Sequence, residues 1–292
     1  MKYLLLISLL SLQLLTSCAE DAFGIGYHPY KRGSGSSQGW KTVSGAAVVN
    51  ALEDGFDDWY HIYDGASFTQ DTWTEHDGGT SLPYEAGTKP SANASTSGLT
   101  NIGDLTDLAV DVNANVSYGL ATNSGFPTIA DGQDIHFRAL IKVNATVNNT
   151  FYYRYVLDAN NCIEFAQYGT DTVSHTFRFS NCMGGAKDSC DTSDLLTTCR
   201  GSWCLIDAKY DDTGATSATV TIWVNGNQVA SCSNATGTSG GLTGDDEFRL
   251  LGFSSGGFTP SNSDVLFFGL RPDDGDIDEA THDADCALLG LC

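Results

Sequence analysis

Between residues 135 and 143, Ile135, Phe137, Ala139, Ile141 and Val143 take one set of alternate positions and His136, Arg138 and Lys142 fall in the other. A repeat of two is the mark of an extended strand with one face on a core, because successive Cβ atoms point to opposite faces. Segments of this kind recur at 151–157, 162–168, 175–181, 203–210, 218–225, 228–232, 247–253 and 265–270, divided by Gly, Asn, Asp and Ser turns. Many short strands between turn residues predict an all-β, antiparallel sandwich or barrel. Asn225-Gly226 supplies the positive φ that a two-residue hairpin turn needs. Only 278–289 reads as a helix, opened by Asp278 and Glu279, whose charges complement the helix dipole. No repeat of fixed period is visible, which argues against a propeller or solenoid.

The N-terminus fixes the compartment. Lys2 precedes an apolar run from Leu4 to Leu15, too short to span a bilayer, and the run ends in Leu15-Thr16-Ser17-Cys18. Those four residues resemble a bacterial lipobox, which implies a signal peptide at 1–17 and an acylated Cys18 as the first residue of the exported chain. Residues 18–45 contain KRGSGSSQG and little periodicity, and read as a flexible tether. The remainder, 46–292, is expected to form one domain. The expected location is the outer membrane or cell surface, reached through the lipid.

Nine cysteines less Cys18 leave an even set in an exported chain, which reads as disulfides. The set is Cys162, Cys182, Cys190, Cys199, Cys204, Cys232, Cys286 and Cys292. Cys162 and Cys182 flank the turn at 169–172 symmetrically, and Cys286 with Cys292 closes a short loop. Proximity groups Cys190 with Cys199 and Cys204 with Cys232. Metal binding by these thiols is not expected, since no Cys-x-x-Cys occurs.

From Cys18 onward the chain carries 13 basic against 36 acidic residues, net −23. Such a charge repels nucleic acid and anionic lipid surfaces, so membrane contact is expected through the anchor alone.

Within the strand pattern, SWCLIDAKYDDTGATSATVTIWVNGNQVASC (202–232) and FDDWYHIYDGASFTQDTWTEHDGGTSL (56–82) resemble strands of the concanavalin A-like lectin and glucanase superfamily, its laminin G-like group above all. DVLFFGLR (264–271) resembles the closing strand of that fold. The resemblance implies an antiparallel two-sheet jelly roll, disulfide-braced here, with one short C-terminal helix. It also implies a structural calcium between the first and last strands, with Asp264 as the late ligand and Asp57, Asp58 or Asp64 as the early one. Calcium takes six to eight oxygens, which scattered carboxylates and carbonyls can supply.

The enzymes of this superfamily use Glu-x-Asp-x-x-Glu on one strand, where alternation aims every acid into one cleft. That motif is missing, as are the paired Gln-x-His, Arg-x-Glu-x-Arg and Tyr-rich motifs of its lyases. No catalytic residue is therefore assigned. Sugar recognition instead needs aromatic faces beside polar side chains. Trp223 points away from the buried positions Val220, Ile222 and Val224, and Tyr152, Arg154 and His136 are read as similarly placed. Trp223 is a stacking platform if its face is open and core if a loop covers it. The expectation is a non-catalytic lectin-like or adhesive module for a glycan or cell-surface ligand. The alternatives are a glycoside hydrolase or lyase with a non-standard site, and a structural envelope protein.

Overall fold

The computed structural model describes residues 61–75, 81–102, 105–112, 116–120, 134–145, 150–158, 161–169, 175–183, 186–193, 196–214, 217–235, 247–251, 262–272 and 278–292. The leader, the tether, Asp57, Asp58 and the start of the domain at residue 46 lie outside the described residues.

Two eight-stranded sheets make up the described fold. The first runs β14 (Asn227–Ala235), β13 (Ser217–Val224), β12 (Trp203–Gly214), β7 (Ile135–Ala145), β16 (Asn262–Pro272), β5 (Ala109–Val112) and β4 (Ser91–Ala94), with β1 (His61–Asp64) on a further stretch of β16. The second runs β11 (Ala186–Asp191), β10 (His175–Met183), β9 (Asn161–Gly169), β8 (Thr150–Asp158), β15 (Glu247–Leu250), β6 (Val116–Leu120), β3 (Ser81–Gly87) and β2 (Thr72–Thr74). The named ladders are antiparallel, and neighbours in space are often far apart in the chain, as with β7 beside β16 and β8 beside β15.

The apolar alternation of 135–143 becomes one inner row of β7. Ile135, Phe137, Ala139, Ile141 and Val143 are buried against Phe165 and Tyr153 of the second sheet, with the Phe137 and Phe165 rings 4.7 Å apart. Burying each such side chain removes enough apolar surface from water to contribute roughly 2–3 kcal/mol before the chain entropy is counted. Phe68, Trp73 and Tyr118 fill one end of this core edge to face, and the Trp73 indole donates to the Asp64 carbonyl at 2.7 Å. A second apolar layer covers the outer face of the first sheet, where Leu140, Leu205 and Phe267 meet Ile102, Leu105, Cys286 and Leu289.

Among the described residues two helices accompany the strands: α1 (Leu196–Cys199) and α2 (Glu279–Leu289). The α2 helix is the one expected from the acid pair, and the Asp278 side chain caps it by accepting from the Thr281 N–H at 2.8 Å. The hairpin turn at Asn225-Gly226 has φ of 45° and 75°, the left-handed pair that joins β13 to β14.

Disulfides join Cys190 to Cys232, Cys199 to Cys204 and Cys286 to Cys292. The expected C-terminal loop is present, but the grouping of Cys190 with Cys199 and of Cys204 with Cys232 is corrected. Proximity in sequence misleads here because β11 and β14, 42 residues apart at their cysteines, lie at matching edges of opposite sheets. Cys162 is also disulfide-bonded, and the β9–β10 register sets Asn181 opposite Ile163, one step before Cys182. The Cys182 side chain lies outside those described.

Candidate functional site

The outer face of the first sheet collects most of the buried charge. Strand register alone brings it together: Arg271, His136 and Lys209 stand in one row across β16, β7 and β12. Arg138, Asp207 and Trp223 stand in the next, across β7, β12 and β13. The α2 helix lies over these rows and adds His282 and Asp285.

Asp207, fully buried, is the hub. Its Oδ1 accepts from His136 Nε2 at 2.5 Å and Arg138 Nε at 2.7 Å, and its Oδ2 from Arg138 at 3.1 Å and His282 Nδ1 at 2.6 Å. The second nitrogen of each imidazole accepts in turn, His136 Nδ1 from Arg271 Nε at 2.9 Å and His282 Nε2 from the Gly226 N–H at 3.0 Å. Each ring thus gives one N–H to Asp207 and accepts at its other nitrogen. Arg138 reaches Asp285 as well, at 2.6 Å.

Burial alone would raise the Asp207 carboxyl, but Arg138 and the two histidines outweigh it and hold it well below the usual carboxylate range. Burial pushes His136 down to about 4, aided by Arg271 and Arg138 and opposed by Asp207. Burial would also depress the Arg138 guanidinium, yet Asp207 and Asp285 raise it, so it stays cationic. His136, Asp207 and His282 are all fully buried. A cluster of acids and bases so tuned would suit proton transfer, but chemistry on a substrate needs contact with that substrate. What the arrangement does is bolt a helix to a sheet.

The residues singled out from sequence separate on inspection. His136 does leave the apolar side of β7, but into this network. Trp223 is only 5% exposed, and the His282 ring stacks over it with centroids 6.4 Å apart, so its face is covered and it belongs to the core. Tyr152 is corrected: it lies in the core between the sheets, its hydroxyl donating to Gln167 at 3.0 Å and bonded to Ser263 at 2.9 Å. A bulge between Phe151 and Tyr153 breaks the alternation of β8, so Tyr152 and Tyr153 are both buried. The Arg154 side chain lies outside those described.

Of the acids expected at a calcium, Asp64 and Asp264 are described, and Asp57 and Asp58 lie outside the described residues. Asp264 is bound by the Lys142 ammonium at 2.5 Å and the Asn144 amide at 2.8 Å, donors that a cation would have to displace. Asp111, opposite it on β5, is pushed up by burial and then by the Asp264 charge. Asp64 accepts from the Ser67 N–H at 2.9 Å. Among the described residues no group of three or more His, Cys, Asp or Glu could hold a metal ion.

Sequence reasoning missed an exposed cluster at the β2–β3 edge. Lys89 pairs with Asp71 and sits 5.1 Å from the centroid of the half-buried Tyr84 ring. The Tyr84 N–H donates to the Asp71 carbonyl at 2.8 Å, and the Gln70 amide to the Pro90 carbonyl at 3.3 Å. No motif marks this group, because it spans the turn before β2 and the turn after β3. Pairing the two short strands first would have found it.

No family model and no curated protein sequence matches the chain. Solved structures do. The binding domain of botulinum neurotoxin serotype D/C is similar with a TM-score of 0.52 at 9% identity, over 79% of this chain and 52% of that one. The binding domain of botulinum neurotoxin DC in complex with rat synaptotagmin II gives 0.50 at 8%, over 79% and 51%. A type C neurotoxin structure, whose cell entry is described as dependent on interaction with two ganglioside molecules, gives 0.51 at 9%, over 79% and 51%. The chain thus spans about half the length of the solved chains it matches, 52% for the first. At such identities the likeness speaks for the fold alone, an antiparallel, disulfide-braced two-sheet β-sandwich.

Proposed function

We propose that the chain is a non-catalytic, lectin-like module that binds carbohydrate or a glycosylated cell-surface ligand, exported and held at the outer membrane or cell surface by lipid on Cys18. The fold shared with toxin binding domains supports the reading, and one of those structures is described in connection with gangliosides. Within this chain the observation that carries it is the β2–β3 edge. Tyr84 offers part of an aromatic ring, while Asp71, Lys89 and Gln70 beside it are exposed. An aromatic surface ringed by a carboxylate, an amide and an ammonium is the chemistry that stacks on a pyranose and bonds its hydroxyls. The net charge of −22 favours neutral or cationic partners over polyanions.

A structural envelope role is the second reading, favoured by α2 filling the face over Trp223. A glycan-array screen of the leaderless chain, with and without EDTA, separates the readings, followed by product analysis on any polysaccharide bound. Binding to intact polymer that Tyr84→Ala and Asp71→Ala abolish supports the lectin reading at this edge, and binding that survives both substitutions removes the edge from it. Shortened or unsaturated products replace it with a hydrolase or lyase, and no binding at all leaves the structural role. Binding lost in EDTA supports a calcium held by Asp264 with Asp57, Asp58 or Asp64, and binding unchanged in EDTA argues against it.

A further inference from the structure

The contacts that seat the first turns of α2 on the sheet depend on protonation in an unusual way. Each of the two imidazoles gives one proton to Asp207 and uses its other nitrogen as an acceptor, from Arg271 Nε for His136 and from the Gly226 N–H for His282. A second proton on either ring sets N–H against N–H and removes that bond. On His136 it also adds a cation beside Arg138, Arg271 and Lys209.

The groups facing His136 are Asp207 and Lys209 from β12, Arg138 from its own strand, Arg271 from β16, and His282 and Asp285 from α2. His282 faces Asp207, Trp223 and the Gly226 turn, with Asp278 and Asp283 on its own segment. Asp207 and Asp285 stand against the buried Arg138 and Arg271, with the half-buried Lys209 beside them, and a proton added to His136 increases the positive charge where little water can screen it.

We propose that the N-terminal half of α2 is an acid-sensitive latch, which lifts residues 278–285 from the first sheet and uncovers Trp223 while the two-sheet core stays folded. The two ends of the helix are held differently, which is why the response is local. Its N-terminal half is joined to the sheet through the side chains of His282 and Asp285. Its C-terminal end is held by Cys286 and Leu289 in the outer apolar layer. The Thr100 N–H donates to the Leu289 carbonyl at 3.0 Å, and Thr100 and Asn101 side chains donate to the Leu288 carbonyl at 2.6 and 2.7 Å. Those bonds carry no titratable group, and the strands beneath are held by backbone ladders. Regions tied down by few side-chain bonds open at lower free energy than ladders do.

The direction follows from His136, whose burial pushes it down to about 4. A base that prefers to stay neutral when folded contributes fully above its unfolded value of about 6.5 and loses that contribution as the pH falls from there toward about 4. The device belongs to the fold and does not rest on the glycan reading.

The test is hydrogen exchange of the full chain from about pH 7 to about pH 4.5, corrected for intrinsic rates. Protection over 278–285 is expected to fall roughly tenfold or more while the strand at 204–210 keeps its protection. His136→Gln with His282→Gln, whose amides can donate to Asp207 and accept from Arg271 and Gly226 without titrating, is expected to flatten the response. Loss of protection in both segments together, or in neither, overturns the latch, and so does an unchanged response in the double variant. If that variant does not fold, the comparison of the two segments in the native chain decides alone.

Discussion

Replacing Asp207 with Asn tests whether the charge hub holds the outer layer in place. The native carboxylate receives four N–H donors, from His136, twice from Arg138, and from His282, at 2.5 to 3.1 Å. An asparagine keeps one oxygen and turns an NH2 toward the two donors on the other side. Whichever way the amide is set, two donors lose their acceptor, one imidazole and one nitrogen of Arg138, which keeps its other bond to residue 207 and its pair with Asp285. Leaving buried donors unmatched costs about 1–3 kcal/mol each. Breaking a buried ion pair from one side costs about 3–5 kcal/mol. The two figures describe the same loss and do not add, so the expected destabilisation is about 3–5 kcal/mol, a third or more of the stability of an ordinary domain. Urea denaturation followed by far-UV circular dichroism measures it as a fall in midpoint with an unchanged slope. Lys89→Ala is the control: it removes an ion pair of the same kind whose partners are 40% and 81% exposed, and it is expected to cost about 0–1 kcal/mol. A loss under about 1 kcal/mol for Asp207→Asn, comparable to that of the control, would refute the assignment of Asp207 as the hub.

Other outcomes follow from the same structure. Removing the Cys190–Cys232 bridge, which closes 42 residues, is expected to cost about 4 kcal/mol, and removing Cys199–Cys204, which closes 5, about 2 kcal/mol. Paired Cys→Ala variants compared by denaturation check the order, and a reversal would refute the loop-length argument. Gly226→Ala sets a Cβ 3.2 Å from the Cys292 Cβ and Sγ at a φ of 75°, and a loss of about 1–2 kcal/mol, read as a fall of a few degrees in Tm, is expected. Cys18→Ser is expected to abolish both fatty-acid labelling and sedimentation with membranes, and a native chain that takes up no label would remove the lipid anchor.

Much of the fold was legible because alternation reports which way a side chain faces. The inner row of β7, the outward turn of His136 and Trp223, the hairpin at Asn225-Gly226 and the cap of α2 all follow from local rules. What alternation does not report is what lies above an outward face. Trp223 and His136 face outward as expected and are buried all the same, because a helix more than fifty residues further along returns to cover them. Asp207 escapes a reading of WCLIDAKY for a related reason: its partners come from two other elements, β7 and α2, and no local rule brings them together. Tyr152 was misplaced by a local cause, the bulge in β8, which leaves no mark in composition.

The Cys190–Cys232 bridge ties the last strand of one sheet to the last strand of the other, β14 to β11. At the opposite margin, where β4 ends the first sheet and β2 the second, the chain itself is the seam, since residues 88–90 lead from β3 straight into β4. The sandwich is thus stitched along both margins, and Tyr84, Asp71 and Lys89 stand beside the second seam, so the proposed glycan contact lies on a braced part of the molecule.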